Sequence, residues 1–389
     1  MATNDWFSMF PSTKVYHLDV TTLNHKPLLI APEGMDSCLQ KPLRFEQMWL
    51  TEKGCTETVE AVWCETSMDL WDTKVIKKID KCRVALSRWS KKHFGSVRKD
   101  LERKRKELRK AETWALRIGD SKRMRLLEKE VNMLLDKEAK MWAQRSKVLW
   151  LKDGDCNTRF FHSKASQRRC RNYITKLHDA SGRLCTRPSQ INDIITNFYQ
   201  ELFTMGGPSS FEEVIDTIPQ VVSPEMNAKL IADFTIDEVE AAIRQMAPLK
   251  APGPNGMPPL FYQNYWSLIG SDVSISILYY LNNRVLPQSL GHSFITLIPK
   301  VKNPEYVTEF HPISLSNVLY RIFSKVLTNR LKIVMPKLIS EHQSAFMFDR
   351  LISDHILVAF ETLHFLRNHN KGKTGFMALK LDMSKAYDM

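Results

Sequence analysis

The chain has 389 residues, 43% hydrophobic and 25% charged, an ordinary balance for folded globular protein, with length for two or three domains and a sizeable core. No apolar run approaches the ~18 residues that cross a bilayer, and Met-Ala-Thr-Asn-Asp lacks the basic start and apolar core of a secretory signal. The net charge is +13, and residues 71–150 alone hold 25 Lys+Arg against 11 Asp+Glu, so the basic character belongs to one segment and nucleic acid is its obvious counter-ion. Seven scattered cysteines with no Cys-x-x-Cys point to a reduced intracellular protein, nuclear or cytoplasmic, without a zinc site.

Residues 1–50 look like the tail of another domain. Val15–Asp19 and Pro27–Ile30 read as two short strands, followed by Arg44-Phe-Glu-Gln-Met-Trp49. Residues 55–150 read as helices, with Trp63, Leu70, Trp71, Val75 and Ile79 at roughly helical spacing. Two thin apolar stripes follow: Val97, Leu101, Leu108, Ala111, Ala115 and Ile118, broken by Lys104, then Met124, Leu127, Val131, Leu134 and Met141. The turn signal Gly119-Asp-Ser121 lies between them. The pattern predicts a basic antiparallel helical hairpin, with Asp100/Lys104 and Glu102/Lys106 as i,i+4 pairs. The run Arg98–Lys110 suits phosphates or an import signal, but has no aromatics for base stacking. A merely solvated helical face explains it equally well.

A second basic patch interleaves Arg159, Lys164, Arg168, Arg169 and Arg171 with Phe160, Phe161 and His162, so that arginines meet phosphates while aromatics meet bases. Adjacent phenylalanines on a helix also point to a core. A β-hairpin is expected over Tyr173–Leu177 and Arg183–Cys185 around the turn Asp179–Gly182, then a helix over Ser189–Phe203. Thr235-Ile-Asp-Glu238 is a capping box opening a helix with Ile236, Val239, Ile243 and Met246 on its apolar face. Lys250-Ala-Pro-Gly-Pro-Asn-Gly256 is a tight loop, its prolines fixing φ and its glycines freeing it.

Leu260–Leu281 reads as one helix with Phe261, Tyr262, Tyr265 and Trp266 in the core, and Phe294–Ile298 as a strand leading to Pro299-Lys300. Leu319, Ile322, Phe323, Val326, Leu327, Leu331 and Val334 mark a core-facing helix. Gln343–Arg350 is a loop. Ser353 opens a helix to Asn368 with Ile356, Phe360 and Leu363 inward. Phe376, Met377, Ala378, Leu379 and Leu381 read as a short buried strand closed by Asp382. A carboxylate there, five residues before Tyr387, suits a divalent metal beside a nucleotide; an Asp in that position also serves as turn former or helix cap.

Six of these pieces stand in the order and spacing of one family. They are Lys250–Met257, Leu297-Ile-Pro-Lys300, Pro312-Ile-Ser-Leu315, Gln343-Ser-Ala-Phe346, Arg350-Leu-Ile-Ser-Asp354 and Leu379–Asp388. From about Trp150 to Met389 the chain resembles the reverse transcriptase of plant LINE-type (non-LTR) retrotransposons. The segment Trp150–His162 looks like the start of that polymerase region. The resemblance implies an α+β fold, mainly helical: polymerase fingers with a partial palm over 151–389, preceded by a basic helical linker over 51–150 and an endonuclease remnant over 1–50. In the endonuclease motif Leu23-Asn-His25, His25 matches the nuclease histidine, but its aspartate neighbour is Asn24, which carries no charge to polarise the imidazole.

By the same resemblance Asp382 is the first catalytic aspartate and holds Mg2+, the Met383 carbonyl adds a metal oxygen, and Tyr387 gates against a ribose 2′-OH. Lys300 and the position of His311 bind the nucleotide, and Lys250 and Arg350 lie at the template and primer. RNA template and DNA primer are the implied partners, with no membrane role; composition does not fix the oligomeric state. The chain departs from the family at Asn255, where Asp is usual, at His311, where an Arg would fork onto phosphate, at Asp349, where Gly is usual, and at His355, where Asn is usual. Two Mg2+ ions about 4 Å apart need more than one carboxylate, and these 389 residues contain no Asp-Asp pair. The expectation is a polymerase fragment that binds nucleic acid and has lost catalysis. A self-associating helical scaffold and a relic reading frame that does not fold are the other open readings.

Overall fold

The computed structural model describes residues 14–17, 28–31, 43–65, 71–93, 97–118, 121–147, 158–204, 212–216, 219–344, 347, 349–368, 376–379 and 381. In chain order the elements are β1 (Lys14–His17), β2 (Leu28–Ala31), α1 (Lys53–Trp63), α2 (Trp71–His93), α3 (Val97–Ile118), α4 (Lys122–Ser146), α5 (Thr158–Arg171), β3 (Leu177–His178) and β4 (Leu184–Cys185). Then come α6 (Pro188–Phe203), α7 (Glu212–Ile215), α8 (Pro224–Ile231), α9 (Ile236–Arg244), α10 (Pro259–Asn264), α11 (Trp266–Asn282), α12 (Gln288–Gly291), β5 (Ser293–Pro299), β6 (Phe310–Ser316), α13 (Val318–Leu338) and α14 (Ile352–Asn368). Mainly helical α+β is what the sequence predicts. The chain divides into two compact units, one of residues 1–175, 235–304 and 308–323, the other of 176–234, 305–307 and 324–389.

The first unit is built on α11, whose Ile269, Val273, Ile277 and Tyr280 are all buried. Helices α1, α2, α9 and α10 pack against it. The predicted single helix 260–281 is two, because Tyr265 leaves helical geometry (φ −99°, ψ 15°) and serves as cap to both. The aromatic cluster is core as expected: Phe261 meets Phe45 edge-on with ring centroids 5.5 Å apart, and Phe45 meets Trp49 at 5.3 Å. The Thr235/Glu238 capping box opens α9, which hides Val239, Ala242 and Ile243.

Helices α3 and α4 form the predicted antiparallel hairpin, burying Val97, Leu101 and Ala111 against Leu127 and Val131; residues 119 and 120 of the turn lie outside the described residues. Lys104 breaks the stripe without wasting the position, because its ammonium reaches Glu130 across the hairpin at 2.8 Å and Glu107 at 3.2 Å. The side-chain hydrogen bond to Glu130, then that to Glu107, raises its pKa. The expected Asp100/Lys104 and Glu102/Lys106 pairs are replaced by Asp100–Arg103 and Arg98–Glu102. Both partners of Lys104 sit where its stem must lie to cover the seam, which takes it out of the outer ladder.

Strand β5 pairs antiparallel with β6, Leu297 opposite Pro312 and Ile298 opposite His311. The sequence hid β6 because Pro312 lacks an N–H. In this two-stranded sheet each strand has an unpaired side, which is where proline is tolerated. β1 and β2 pair in the same antiparallel sense, Val15 opposite Ile30.

In the second unit the β3–β4 hairpin is shorter than predicted, two residues per strand, and closes on the expected turn. The Asp179 carboxylate accepts from the Ser181 hydroxyl and from the Ser181 and Arg183 N–H groups at 3.0 and 2.9 Å, and these bonds, the hydroxyl's first, hold its pKa down. Helix α8 ends under Arg330 of α13, whose guanidinium donates to the carbonyls of Leu230, Ala232 and Asp233 and lies 3.6 Å from the Phe234 ring centre.

Three expectations here are corrected. Helix α14 forms where predicted, but Ile356, Phe360 and Leu363 are 65%, 65% and 60% exposed and not inward. Residues 376–379 and 381 are exposed and not in a strand, because a strand needs a neighbouring strand and the described strands pair only with one another. On α13, Leu319, Ile322, Val326 and Val334 are buried, while Leu327 and Leu331 are 37% and 46% exposed. No helix among the described residues is long and apolar enough to cross a membrane.

Candidate nucleic-acid interface

The Lys250–Gly256 loop is held from two sides. Gly253 lies so close to the end of β6 that an added Cβ would stand 2.5 Å from the Ser316 carbonyl group and the Asn317 nitrogen. On the other side the Phe45 N–H donates to the Gly256 carbonyl at 3.0 Å. Asn255 closes the turn: its Oδ1 accepts from the Met257 N–H, and its own N–H donates to Asn317 Oδ1, both at 3.1 Å. Asn255, standing where the resembling family has Asp, therefore keeps the acceptor role and loses only the charge. Lys250, at the mouth of this loop, is exposed.

The β5–β6 hairpin brings Lys300 and His311 to one end. Lys300 follows the last residue of β5 and donates its backbone N–H to the Glu309 carbonyl at 2.8 Å, and His311 is the second residue of β6. Both side chains are exposed. Two residues eleven positions apart in sequence thus lie at the same end of the hairpin.

Helix α5 separates its patch cleanly. Phe161 is buried, 4% exposed, so it belongs to the core, while Lys164, Arg168, Arg169 and Arg171 are exposed. Phe160 is half-buried, with the Lys164 ammonium 5.6 Å from its ring centre. The mixed aromatic and basic run is thus one core residue and one cationic face. The side chains of Arg159 and His162 lie outside the described residues, as do Asp382, Met383 and Tyr387, and the endonuclease-like Asn24 and His25.

Arg350 belongs to the second unit, and its guanidinium is occupied. It donates to the carbonyls of Ser340 and Gln343 at 2.5 and 2.6 Å, closing the loop after α13. Asp349 beside it has φ +60°, the left-handed region that explains why the resembling family has Gly there.

Sequence reasoning passed over Arg44 and Lys147. Lys147 ends α4 in left-handed geometry (φ 58°, ψ 24°) and sends its half-buried ammonium to the Leu249 carbonyl at 2.6 Å. Burial first, then the nearby Arg168 and Arg44, push its pKa down. No spacing in the sequence announces it, because Leu249 and Arg44 lie roughly a hundred residues away on either side.

Among the described residues no group of three or more His, Cys, Asp or Glu side chains stands ready to hold a metal ion.

Residues 298–389, from the end of β5 onward, match the family model described as reverse transcriptase (RNA-dependent DNA polymerase). Over 242 residues, 61% of the chain, the sequence is 32% identical to the transposon TX1 uncharacterized 149 kDa protein of Xenopus laevis. The chain spans 18% of that relative's length. It is thus similar to reverse transcriptase in its last part, and to a transposon-encoded protein over most of its length.

Proposed function

We propose that this chain is a piece of a plant LINE-type retrotransposon reverse transcriptase that binds RNA template and DNA primer and, as these 389 residues, does not extend a primer. The observation that supports the reading is that the Lys250–Gly256 loop, the exposed Lys300 and His311 and the exposed cations of α5 all belong to the first unit. In this reading residues 1–50 are the end of an endonuclease, 51–150 a basic linker, and 151–389 the fingers with the start of the palm. The protein works inside the cell, in nucleus or cytoplasm. The family's Mg2+ chemistry needs several carboxylates around two ions, and the chain contains no Asp-Asp pair to add to Asp382.

Purified protein incubated with Mg2+, deoxynucleotides and a primed RNA template is expected to yield no extended primer while binding that duplex in low salt. Template-dependent product that disappears in Asp382→Ala overturns the loss of catalysis. Absence of binding in low salt overturns the nucleic-acid reading.

A self-association role has one observation in its favour. The hairpin exposes Trp114, Leu116, Leu126 and Met133 at 49%, 89%, 59% and 57%. A salt-insensitive dimer by light scattering, with no affinity for RNA or DNA, is the result that would favour it.

A further inference from the structure

Three segments bring cations to the Lys250–Gly256 loop and its surroundings, Arg44 at the Gly256 end, Lys147 at the Leu249 end and Arg168 beside Lys147. Arg44 is placed by its neighbours: Phe45 donates to the Gly256 carbonyl, and an added Cβ on Gly256 would stand 3.6 Å from the Arg44 Cα. Lys147 is placed by its bond to the Leu249 carbonyl, next to Lys250. Arg168 comes from α5, which packs along α4, and is close enough for its charge to be felt at Lys147. The one acid on the Leu43–Glu46 segment, Glu46, is engaged by Arg145 at 2.5 Å. Among the described residues no carboxylate is paired with Arg44, Lys147, Arg168 or Lys250.

Like charges gathered without an acid repel one another, and half-burying one of them strengthens that repulsion. Folded chains tolerate such a cluster where an anion occupies it in use. Lys147 is not free to swing away, since its backbone is in left-handed geometry and its ammonium is tied to the loop.

We infer that Arg44, Lys147 and Arg168, with Lys250, form a binding site for backbone phosphate of a single-stranded RNA laid along the Lys250–Gly256 loop. The site rests on the nucleic-acid reading above and extends it to residues outside the polymerase motifs. Its chemistry is positional: the cations neutralise phosphates and read no bases. Cations that release counterions on binding leave a signature in salt dependence, a slope of about 0.7 log units per phosphate on a single strand.

The test is fluorescence anisotropy of a labelled single-stranded RNA of about 20 nucleotides, titrated with the full chain across a series of salt concentrations. The Arg44→Gln/Arg168→Gln pair is compared with Lys229→Gln/Lys337→Gln on exposed faces of α8 and α13, which removes the same charge elsewhere. The expected result is a slope reduced by about 1.4 log units, about 0.7 for each of two phosphate contacts, and binding weakened about tenfold or more in the first pair, with little change in the second. Equal losses in both pairs, or no loss in the first, overturn the site while leaving the nucleic-acid reading standing. Wild-type protein that binds no RNA at low salt overturns both. Melting curves establish that each variant is folded. Should the double variant unfold, Arg168→Gln alone, on an exposed helix face, is expected to lower the slope by about 0.7, and an unchanged slope there equally overturns the site.

Discussion

Gly256 stands directly against Leu43. A Cβ added at Gly256 would lie 2.0 Å from the Leu43 carbonyl oxygen, and the glycine's backbone is at φ +73°. The family-like loop and the segment before α1 are thereby one structural piece, with Phe45 bonded to the Gly256 carbonyl. Gly256→Ala forces an L residue into left-handed geometry and a methyl group into a backbone oxygen. Each costs about 1–3 kcal/mol, so a loss of about 3 kcal/mol and a visibly lowered denaturation midpoint are expected. Gly182→Ala, also at positive φ (+80°) but with nothing within 4 Å of the added Cβ, should cost about 1 kcal/mol. Chemical denaturation of the two variants measures the difference.

Two phenylalanines with the same sequence signature should behave in opposite ways. Phe261 of α10 is 0% exposed at the centre of the aromatic cluster, and Phe360 of α14 is 65% exposed. Phe261→Ala removes a ring from a closed core and should cost about 3–5 kcal/mol. Phe360→Ala should change the chain's stability by less than about 0.5 kcal/mol. Denaturation followed by tryptophan fluorescence and by far-ultraviolet dichroism distinguishes them; a large loss for Phe360→Ala would show that α14 is covered in solution.

What the sequence made legible was local. The capping box at Thr235 and the turn at Asp179–Gly182 depend on residues within one or two turns of chain, the α3–α4 hairpin on two stripes either side of a short turn, and each is found. What it hid depended on partners far away. Strand β6 was masked by Pro312, which only the absence of a third strand permits among the described residues. Periodicity predicted that Ile356, Phe360 and Leu363 share a face, which is a statement about the helix. Whether that face is covered depends on the rest of the fold. Motif order singled out Lys250, Lys300 and His311 as candidates, and the structure shows their side chains exposed. Arg44 and Lys147 became visible only when Phe45 and Leu249 were seen holding them at the loop.

The second unit carries a pH-dependent contact. Glu305 forms an ion pair with Lys176, and its backbone carbonyl accepts the His178 N–H at 2.8 Å. The hydrogen bond from Lys176, then its charge, lowers the Glu305 pKa from 4.5. A carboxyl group with a depressed folded pKa contributes stability that is complete above its unfolded value and is lost as pH falls through the folded one. Wild-type protein should therefore melt higher than Glu305→Gln at neutral pH. That gap should begin to close as pH drops below 4.5 and vanish once the folded carboxyl is protonated. Melting temperatures of the two proteins across an acid series measure the gap; a gap that persists unchanged to the lowest pH would assign it to the backbone bond of residue 305 and not to the charge.

Lys300 and His311 make the sharpest chemical prediction. Both are exposed at the same end of the β5–β6 hairpin, Lys300 just past β5 and His311 opposite Ile298. A triphosphate at that rim meets one full positive charge from Lys300, and an imidazole that cannot offer the parallel pair of N–H donors a guanidinium does. His311→Arg restores the fork on a strand whose register is already fixed by the pairs on either side, Leu297 with Pro312 and Pro299 with Phe310. A charge-assisted contact of this kind is worth about 1.5 kcal/mol, or roughly tenfold in affinity. Calorimetric titration with a deoxynucleoside triphosphate should therefore show tighter binding to His311→Arg than to wild type, and Lys300→Ala should remove most of the gain, because the two side chains must close on the same phosphates. A gain that survives Lys300→Ala intact would place the nucleotide elsewhere and break the link between this hairpin and the polymerase reading.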